Sequence, residues 1–129
     1  MYGALEISTS GLIAQRTRLE AITENIANRE SIGYQRRSVY FAAGNPGASN
    51  EAGRAGGVHV AAIEKEDLFD VRYEPGSPYA DERGYVKYPA INPVLEQLNA
   101  FEAQRAYEAN ISAAEATKTM MAQALRLLG

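Results

Sequence analysis

The C-terminal part of the chain contains a stretch, residues 94–128, with neither glycine nor proline. Asn92 and Pro93 precede this stretch and Gly129 follows it. Asparagine is a favourable N-cap residue, and proline fits the first helical position because an N–H there would have no intrahelical partner. The pattern predicts one helix about 50 Å long, at roughly 1.5 Å per residue. A compact domain of 129 residues does not need such a helix, so the pattern indicates a structural subunit rather than a catalyst.

A second amphipathic helix is predicted over residues 4–28. Its stripe alternates steps of three and four residues, through Leu5, Ser8, Leu12, Gln15, Leu19, Ile22 and Ile26. This is the a/d heptad spacing of helices that pack along their length. Two stripe positions are polar, and buried polar a/d residues lower stability but fix register. Gly11 weakens this helix by about 1 kcal/mol relative to alanine.

The C-terminal helix carries a stripe of the same period, through Ala100, Ala103, Tyr107, Asn110, Ala114, Thr117, Met121, Ala124 and Leu128. Alanine-rich contacts bury little apolar area, so they stabilise the helix pair only slightly, at about 25 cal/mol per Å² buried. Bulkier apolar residues lie on several faces, which predicts more than one neighbour for this helix.

The middle of the chain differs, because all five prolines lie between residues 46 and 93. Composition predicts a flexible Gly/Ala loop over 42–57. Strand patterns occur at 34–41, 58–63, 69–73 and 85–88, with a turn at 81–84. Three or four short strands would form a small antiparallel unit close to the minimum that is stable alone.

Composition argues against several classes of function. Thirteen basic and 16 acidic residues give a net charge of −3, which does not favour nucleic acid or an anionic membrane as a partner. The absence of cysteine excludes disulfides and thiol chemistry. No apolar run has the length of a membrane span. Residues 1–6 lack the features of a secretory signal peptide, so the protein is expected either to stay in the cytoplasm or to leave by another route.

No catalytic constellation is visible. His59 lies in a strand pattern with no partner marked by the sequence, which predicts a structural role. The acidic cluster at 64–67 lacks calcium-loop spacing and is predicted to be a solvated turn. Arg36 and Arg37 are predicted to lie on a solvated strand face. We therefore predict no enzyme, no catalytic residue, no cofactor and no metal site.

Two segments resemble a known family. The first comprises Ser10-Gly11-Leu12, Gln15 and Leu19 within the first helix, the Asn-x-Ala-Asn element at 25–28 and the Gly-Tyr-basic exit at 33–37. It resembles the N-terminal signature of bacterial flagellar axial proteins, the rod and hook family. The run at 73–89, with Arg105-x-Tyr107-x-Ala109-Asn110 and Met120-Met121, is similar to the proximal rod proteins of this family. The first segment fits any rod or hook subunit, whereas the second selects the proximal rod type.

The resemblance implies an α+β fold. The terminal helices (1–30 and 92–129) would pair as a coiled-coil-like inner domain, and 31–91 would form a β-rich outer domain. It implies a structural subunit of the flagellar basal-body rod that assembles helically with itself and other rod proteins and transmits motor torque to the hook. It also implies export by the flagellar type III apparatus without a cleavable signal peptide, and a place in the periplasm-spanning rod. Nucleic-acid binding and membrane insertion are not expected, because the net charge and the short apolar runs do not favour them.

An assembly interface is predicted on the two helices, at Leu12, Gln15, Leu19, Ile22, Asn25, Ile26, Asn28, Tyr107, Asn110, Ala114, Met121 and Leu128. Asparagine at the end of the first helix tolerates a left-handed backbone and can bond the last carbonyls. We expect Asn110 to be the partner of the 25–28 element, because an amide in a helix seam demands a matching group.

Two alternatives are open at this point. One is another rod or hook subunit. The other is a soluble module that holds a partner helix in a groove. The module would be a stable monomer that forms a complex of defined stoichiometry, whereas a rod subunit would assemble without a closed end.

Overall fold

The computed structural model describes residues 2–44 and 56–129. The elements in chain order are α1 (Tyr2–Ala27), β1 (Arg37–Ala43), β2 (Val58–Lys65), β3 (Phe69–Tyr73), β4 (Tyr85–Pro89) and α2 (Pro93–Leu128). The two long helices pack together, and the antiparallel strands lie between them in the chain. The predicted α+β fold class is confirmed.

The bounds of α2 follow from its caps. The Asn92 side chain accepts a hydrogen bond from the Val94 N–H at 3.0 Å, and Pro93 occupies the first turn. At the other end, the Gly129 N–H donates to the Leu125 carbonyl at 3.1 Å. The helix runs through 36 residues without interruption, which corresponds to roughly 54 Å.

The two helices are antiparallel. Gly11 lies against Asn110, and the Arg18 guanidinium lies 3.6 Å from the Glu102 carboxylate. Small side chains occupy the centre of the contact, because Ala14 and Ala103 are almost completely buried. Their size lets the helix axes approach closely while burying little apolar area.

The strands form two separate two-stranded sheets rather than one unit. β1 pairs with β2 from Arg37↔Lys65 to Ala43↔Val58, with a shift in register after Tyr40. β3 pairs with β4 from Phe69↔Pro89 to Tyr73↔Tyr85. The β1–β2 sheet packs on α1, whereas β3–β4 has no comparable packing against any other described helix or strand. Strand patterns mark where strands lie but not which strands pair.

The connections show one confirmed prediction and one correction. The turn at 81–84 is confirmed, because the Gly84 N–H donates to the Asp81 carbonyl at 3.0 Å and Gly84 has a φ of 85°, a conformation that glycine adopts without strain. The loop predicted at 42–57 begins too early, because Ala42 and Ala43 pair with β2. Residues 45–55 of that loop lie outside the described part of the chain.

Candidate assembly site

Most of the predicted interface residues are partly or fully covered within the single chain. Ile22 and Asn25 are buried. Nine others are half-buried: Leu12, Gln15, Leu19, Ile26, Asn28, Tyr107, Asn110, Ala114 and Met121. Leu128 is 87% exposed. Much of this set is therefore partly covered within one chain, and its role between subunits stays a prediction.

Asn25 joins the end of α1 to the start of β1. Its Nδ2 donates to the Arg37 carbonyl at 2.9 Å, and its Oδ1 accepts from the Arg37 N–H at 2.9 Å. The Tyr34 hydroxyl also donates to Oδ1 at 2.8 Å. The side chain thus bonds the backbone of Arg37 much as a neighbouring strand would, and it is completely buried. Burial raises the pKa of Tyr34, and the Arg37 charge opposes this effect only in part.

Asn28 confirms one expectation but not another. Its Nδ2 donates to the Glu24 carbonyl at 2.8 Å, as predicted for a residue that bonds the last turn of the helix. The left-handed backbone that asparagine tolerates is not adopted at Asn28, because no described residue other than glycine has a positive φ. The chain takes that conformation at Gly33, whose φ is 88°, where a residue without Cβ has no steric penalty.

Within the single chain, Asn110 does not pair with the 25–28 element, and a pairing between subunits stays a prediction. Asn110 lies over Gly11, on the other part of α1. Gly11 and Asn25 are about 21 Å apart along the helix at roughly 1.5 Å per residue. The antiparallel register of the helices, which the spacing of the stripe does not specify, decides this partner.

Arg36 connects three elements. Its Nε donates to Glu96 Oε1 at 2.5 Å, and its Nη1 donates to Glu66 Oε1 at 2.6 Å and to Ser38 Oγ at 2.9 Å. Burial alone would lower the pKa of Arg36, but the hydrogen bond and charge of Glu96, together with Glu66, raise it above the ordinary value. The prediction of a solvated face is wrong for Arg36, because the exit from α1 passes the first turn of α2.

Glu96 is a functional candidate that the sequence analysis missed. It is 1% exposed, and its second oxygen, Oε2, has no hydrogen-bond partner among the described residues. A signal was present, because residue 96 is one heptad before Ala103 and continues the stripe of α2. A buried carboxylate is costly unless it is paired, and Arg36 supplies the opposite charge. Because Arg36 directly precedes β1, this ion pair holds the first turn of α2 to the start of the sheet.

The surface of α2 carries unpaired apolar residues. Val94, Leu98 and Phe101 are 62%, 58% and 62% exposed. Their spacing of four and three residues places them on one face, roughly opposite Glu96 and Ala103. Further along the helix, exposed apolar residues are Met120, Leu125, Leu127 and Leu128.

Other types of site are not evident in the described residues. His59 Nδ1 lies 2.8 Å from the Gly44 carbonyl, where it links the two strand ends beside the 45–55 segment. Residues 2–44 and 56–129 contain no group of three metal-ligating side chains. Neither described helix combines the length and apolarity needed to cross a membrane.

Comparison with known families defines the class of this helix-and-ribbon architecture. The model for flagella basal body rod protein matches residues 5–35, which include α1 and the Asn25 tether. The model for the C-terminal region of the flagellar basal body rod FlgEFG proteins matches residues 82–127, which include Glu96 and most of α2. The two matched regions are the ones that meet in the helix contact, and they define a rod protein.

Full-length relatives narrow this class. The flagellar basal-body rod protein FlgC of Escherichia coli O6:H1 is 38% identical over 98% of this chain and 97% of its own. FlgC of Bacillus subtilis is 32% identical over 98% and 97%, and FlgC of Aquifex aeolicus is 38% identical over 92% and 90%. The chain belongs to the FlgC family of flagellar basal-body rod proteins. It is therefore a structural subunit of the rod in the flagellar basal body, and the resemblance seen in the sequence is confirmed.

Proposed function

We propose that this subunit assembles helically, with further copies and with other rod proteins, into the shaft that transmits motor torque to the hook. In this proposal the α1–α2 pair forms a coiled-coil-like inner layer, and the strands form an outer layer. Residues 1–30 and 92–129 constitute the first layer and residues 31–91 the second. The subunit works by binding and by mechanical support, without a catalytic step.

The observation that carries the proposal is the large exposed surface. The chain exposes 9200 Å², against about 6,700 Å² for a compact monomer of 14.0 kDa. Among the described residues, the buried apolar set is small: Ala14, Ala21, Ile22, Val86, Tyr88 and Ala103. A chain that buries so little by itself has apolar surface left over for contact with neighbours.

The position of that surface supports open-ended assembly. The Val94–Leu98–Phe101 face lies near the start of α2, and a second exposed apolar group lies in its last turns, at 120–128. Different patches on one subunit favour head-to-tail contacts, which produce a helical array when the rotation does not close a ring. A two-fold dimer would instead use one self-complementary patch.

The small buried core also supports export by the flagellar type III apparatus, because a helix pair that buries little apolar area has a low free energy of unfolding. The helices would then become fully ordered on assembly, when neighbouring subunits cover their exposed apolar residues. The Arg36–Glu96 contact supports the mechanical part of the proposal, because it ties the sheet to the helix that forms the inner layer.

The test uses the exposed face of α2, in a deletion strain that lacks its own copy of the gene and swims again when the parent gene is supplied. We expect Leu98→Asp combined with Phe101→Asp to leave the purified protein folded, since both residues are exposed. The same variant should fail to restore swimming and intact basal bodies, because a charge would be desolvated in the contact between subunits. Circular dichroism and electron microscopy of basal bodies are the measurements.

A matched control is Gln97→Asp combined with Gln104→Asp, two exposed polar positions on the same helix. This control should restore swimming. If the Leu98/Phe101 variant swims normally, the proposed contact face is wrong. If the purified protein instead forms a closed complex of fixed stoichiometry with one partner, open-ended assembly is wrong.

A further inference from the structure

Two adjacent residues of α1, Ser10 and Gly11, contact two different elements. Gly11 lies against Asn110 of α2, and Ser10 lies against Val58 and Gly57 at the start of β2. The same turn of helix therefore touches the other helix and the β1–β2 sheet. The heptad spacing of α1 does not by itself place the contact with α2 and the contact with the sheet in the same turn.

The Gly11 contact depends on the absence of a side chain. A Cβ at this position would lie 2.7 Å from Asn110 Nδ2, 2.9 Å from its Oδ1 and 3.0 Å from its Cγ. These distances are too short for van der Waals contact, so alanine would force the amide or the helix to move. Gly3, in the same helix, has nothing within 4 Å of its Cβ position, which makes it a matched control.

Ser10 holds the sheet through a hydrogen bond and through close contact with a second glycine. Ser10 Oγ donates to the Ile7 carbonyl at 2.7 Å and accepts from the Val58 N–H at 3.1 Å. Gly57 has a φ of 75°, and a Cβ there would overlap the Ser10 hydroxyl and lie 3.2 Å from Ile7 Cα. Glycine suits this position for both reasons.

The rest of the helix contact selects register weakly. A slide of α2 by one heptad, about 10 Å, would replace Asn110 opposite Gly11 by Ala103 or Thr117. Both of these side chains are small, and the seam offers alanine at several equivalent positions. The stripe period alone therefore permits more than one alignment, whereas the fit of one amide over one glycine does not.

We infer that Ser10, Gly11, Gly57 and Asn110 form a register lock that sets the axial positions of both α2 and the β1–β2 sheet on α1. The lock is a property of the single chain. Only its consequence rests on the proposed function: the surface that α1 and α2 present jointly to a neighbouring subunit depends on their alignment.

The test measures alignment directly in the purified full chain. The chain contains no cysteine, so spin labels can be attached at Thr9→Cys and Gln97→Cys, both at exposed positions. These sites are offset by roughly 22 Å along the pair, and a one-heptad slide changes the offset by about 10 Å. We expect one narrow distance distribution in the parent, and a broadened or shifted one in Gly11→Ala and in Asn110→Ala.

Thermal unfolding supplies the second measurement. Alanine favours a helix more than glycine does, so propensity alone would raise the midpoint or leave it unchanged, as we expect for Gly3→Ala. Gly11→Ala should instead lower the midpoint by about 5 °C or more, because of the clash with Asn110. In the Asn110→Ala background the loss caused by Gly11→Ala should largely disappear. Should Gly11→Ala fail to fold, Asn110→Ala still tests alignment, because it removes the amide without a clash.

Two results overturn the inference: a parent-like distance distribution in Asn110→Ala, or midpoint losses for Gly11→Ala and Asn110→Ala that simply add. Loss of assembly bears on the proposed function instead, because these measurements need only the single chain. If the midpoint losses at Gly11 and Asn110 are not additive but the protein cannot build a rod, the proposed function is wrong and the register lock stands.

Discussion

The two ends of the helix pair differ in how they are held. Near the β1–β2 sheet, Ile22, Asn25 and Glu96 are buried, and hydrogen bonds join polar groups from three elements. At the other end, Leu125, Leu127 and Leu128 of α2 are among the most exposed apolar residues of the chain. We call the first the junction end and the second the distal end. Stability of the single chain should reside at the junction end, and unused binding energy at the distal end.

The two ends differ because one contains buried polar groups that need partners and the other contains exposed apolar side chains. A buried polar network accepts few geometries, because an unpaired member costs about 1–3 kcal/mol. Exposed leucines impose no such demand. The junction end is therefore suited to fixing one conformation, whereas the distal end is suited to contact with something outside the chain.

The largest expected effect is at the junction end. Ile22→Asp should destabilise the chain by about 3–5 kcal/mol, because it places an unpaired charge at a buried position. Urea unfolding followed by circular dichroism measures the loss. Thr23→Asp, at the exposed neighbouring position, should change stability by less than about 0.5 kcal/mol. Equal losses in the two variants would mean that this end is not where the chain derives its stability.

Asn25→Ala should come next, with a loss of about 2–3 kcal/mol. It leaves the Arg37 N–H, the Arg37 carbonyl and the Tyr34 hydroxyl without their partner, and unpaired buried groups are penalised. Asn28→Ala, which removes a hydrogen bond to the last helical turn, should lose less than about 1 kcal/mol. A ranking in the opposite order, measured by the same unfolding assay, would contradict the assignment of Asn25 as the tether.

A smaller effect is expected at alkaline pH. The pKa of Tyr34 is raised by folding, so its contribution to stability is fully present below the ordinary tyrosine pKa of 10.0 and is lost as pH rises through the folded value. Tyr34→Phe should lose about 1 kcal/mol at pH 7, with its hydrogen bond to Asn25. The difference from the parent should shrink above about pH 10. A gap between the two proteins that stays constant to the alkaline limit would exclude Tyr34 as the titrating group.

The smallest effect on stability is expected at the distal end. Leu128→Asp should change the free energy of unfolding by less than about 0.5 kcal/mol, because the side chain is already in water. If this end binds a neighbouring subunit, the same variant should reduce the number of intact basal bodies, counted by electron microscopy. Gln123→Asp, an exposed position on the same part of α2, is the control. A large loss of single-chain stability in Leu128→Asp would erase the proposed difference between the ends.

The sequence predicted the elements better than their contacts. Helical period and the Asn92-Pro93 and Gly129 caps placed α2 within one residue of its bounds. Alternating patterns, β-prone residues and a turn signal located all four strands approximately. These signals are local, and each is repeated over many residues. The partner of Asn110 could not be found in this way, because antiparallel alignment depends on a single fit at Gly11.

The Arg36–Glu96 contact illustrates the same limit. Its members are separated by 60 residues in the chain, and no spacing rule connects a basic residue after α1 with an acidic one in the first turn of α2. The heptad phase of residue 96 indicated that it faces the seam. Burial of a carboxylate there required a cation, and only the path of the chain shows which one.

The long separation between paired elements also sets an order of folding. The loop between β3 and β4 closes on itself, with Glu74 N–H donating to the Gly84 carbonyl and Asp81 N–H to the Tyr85 carbonyl. The helices instead join residues about 100 positions apart, and contacts of such separation form late. A chain synthesised or delivered N-terminus first can close the ribbon early. The β1–β2 sheet can pack on α1 at that stage, but the part of the α1 surface that meets α2, around Gly11, stays in water until Asn110 is present.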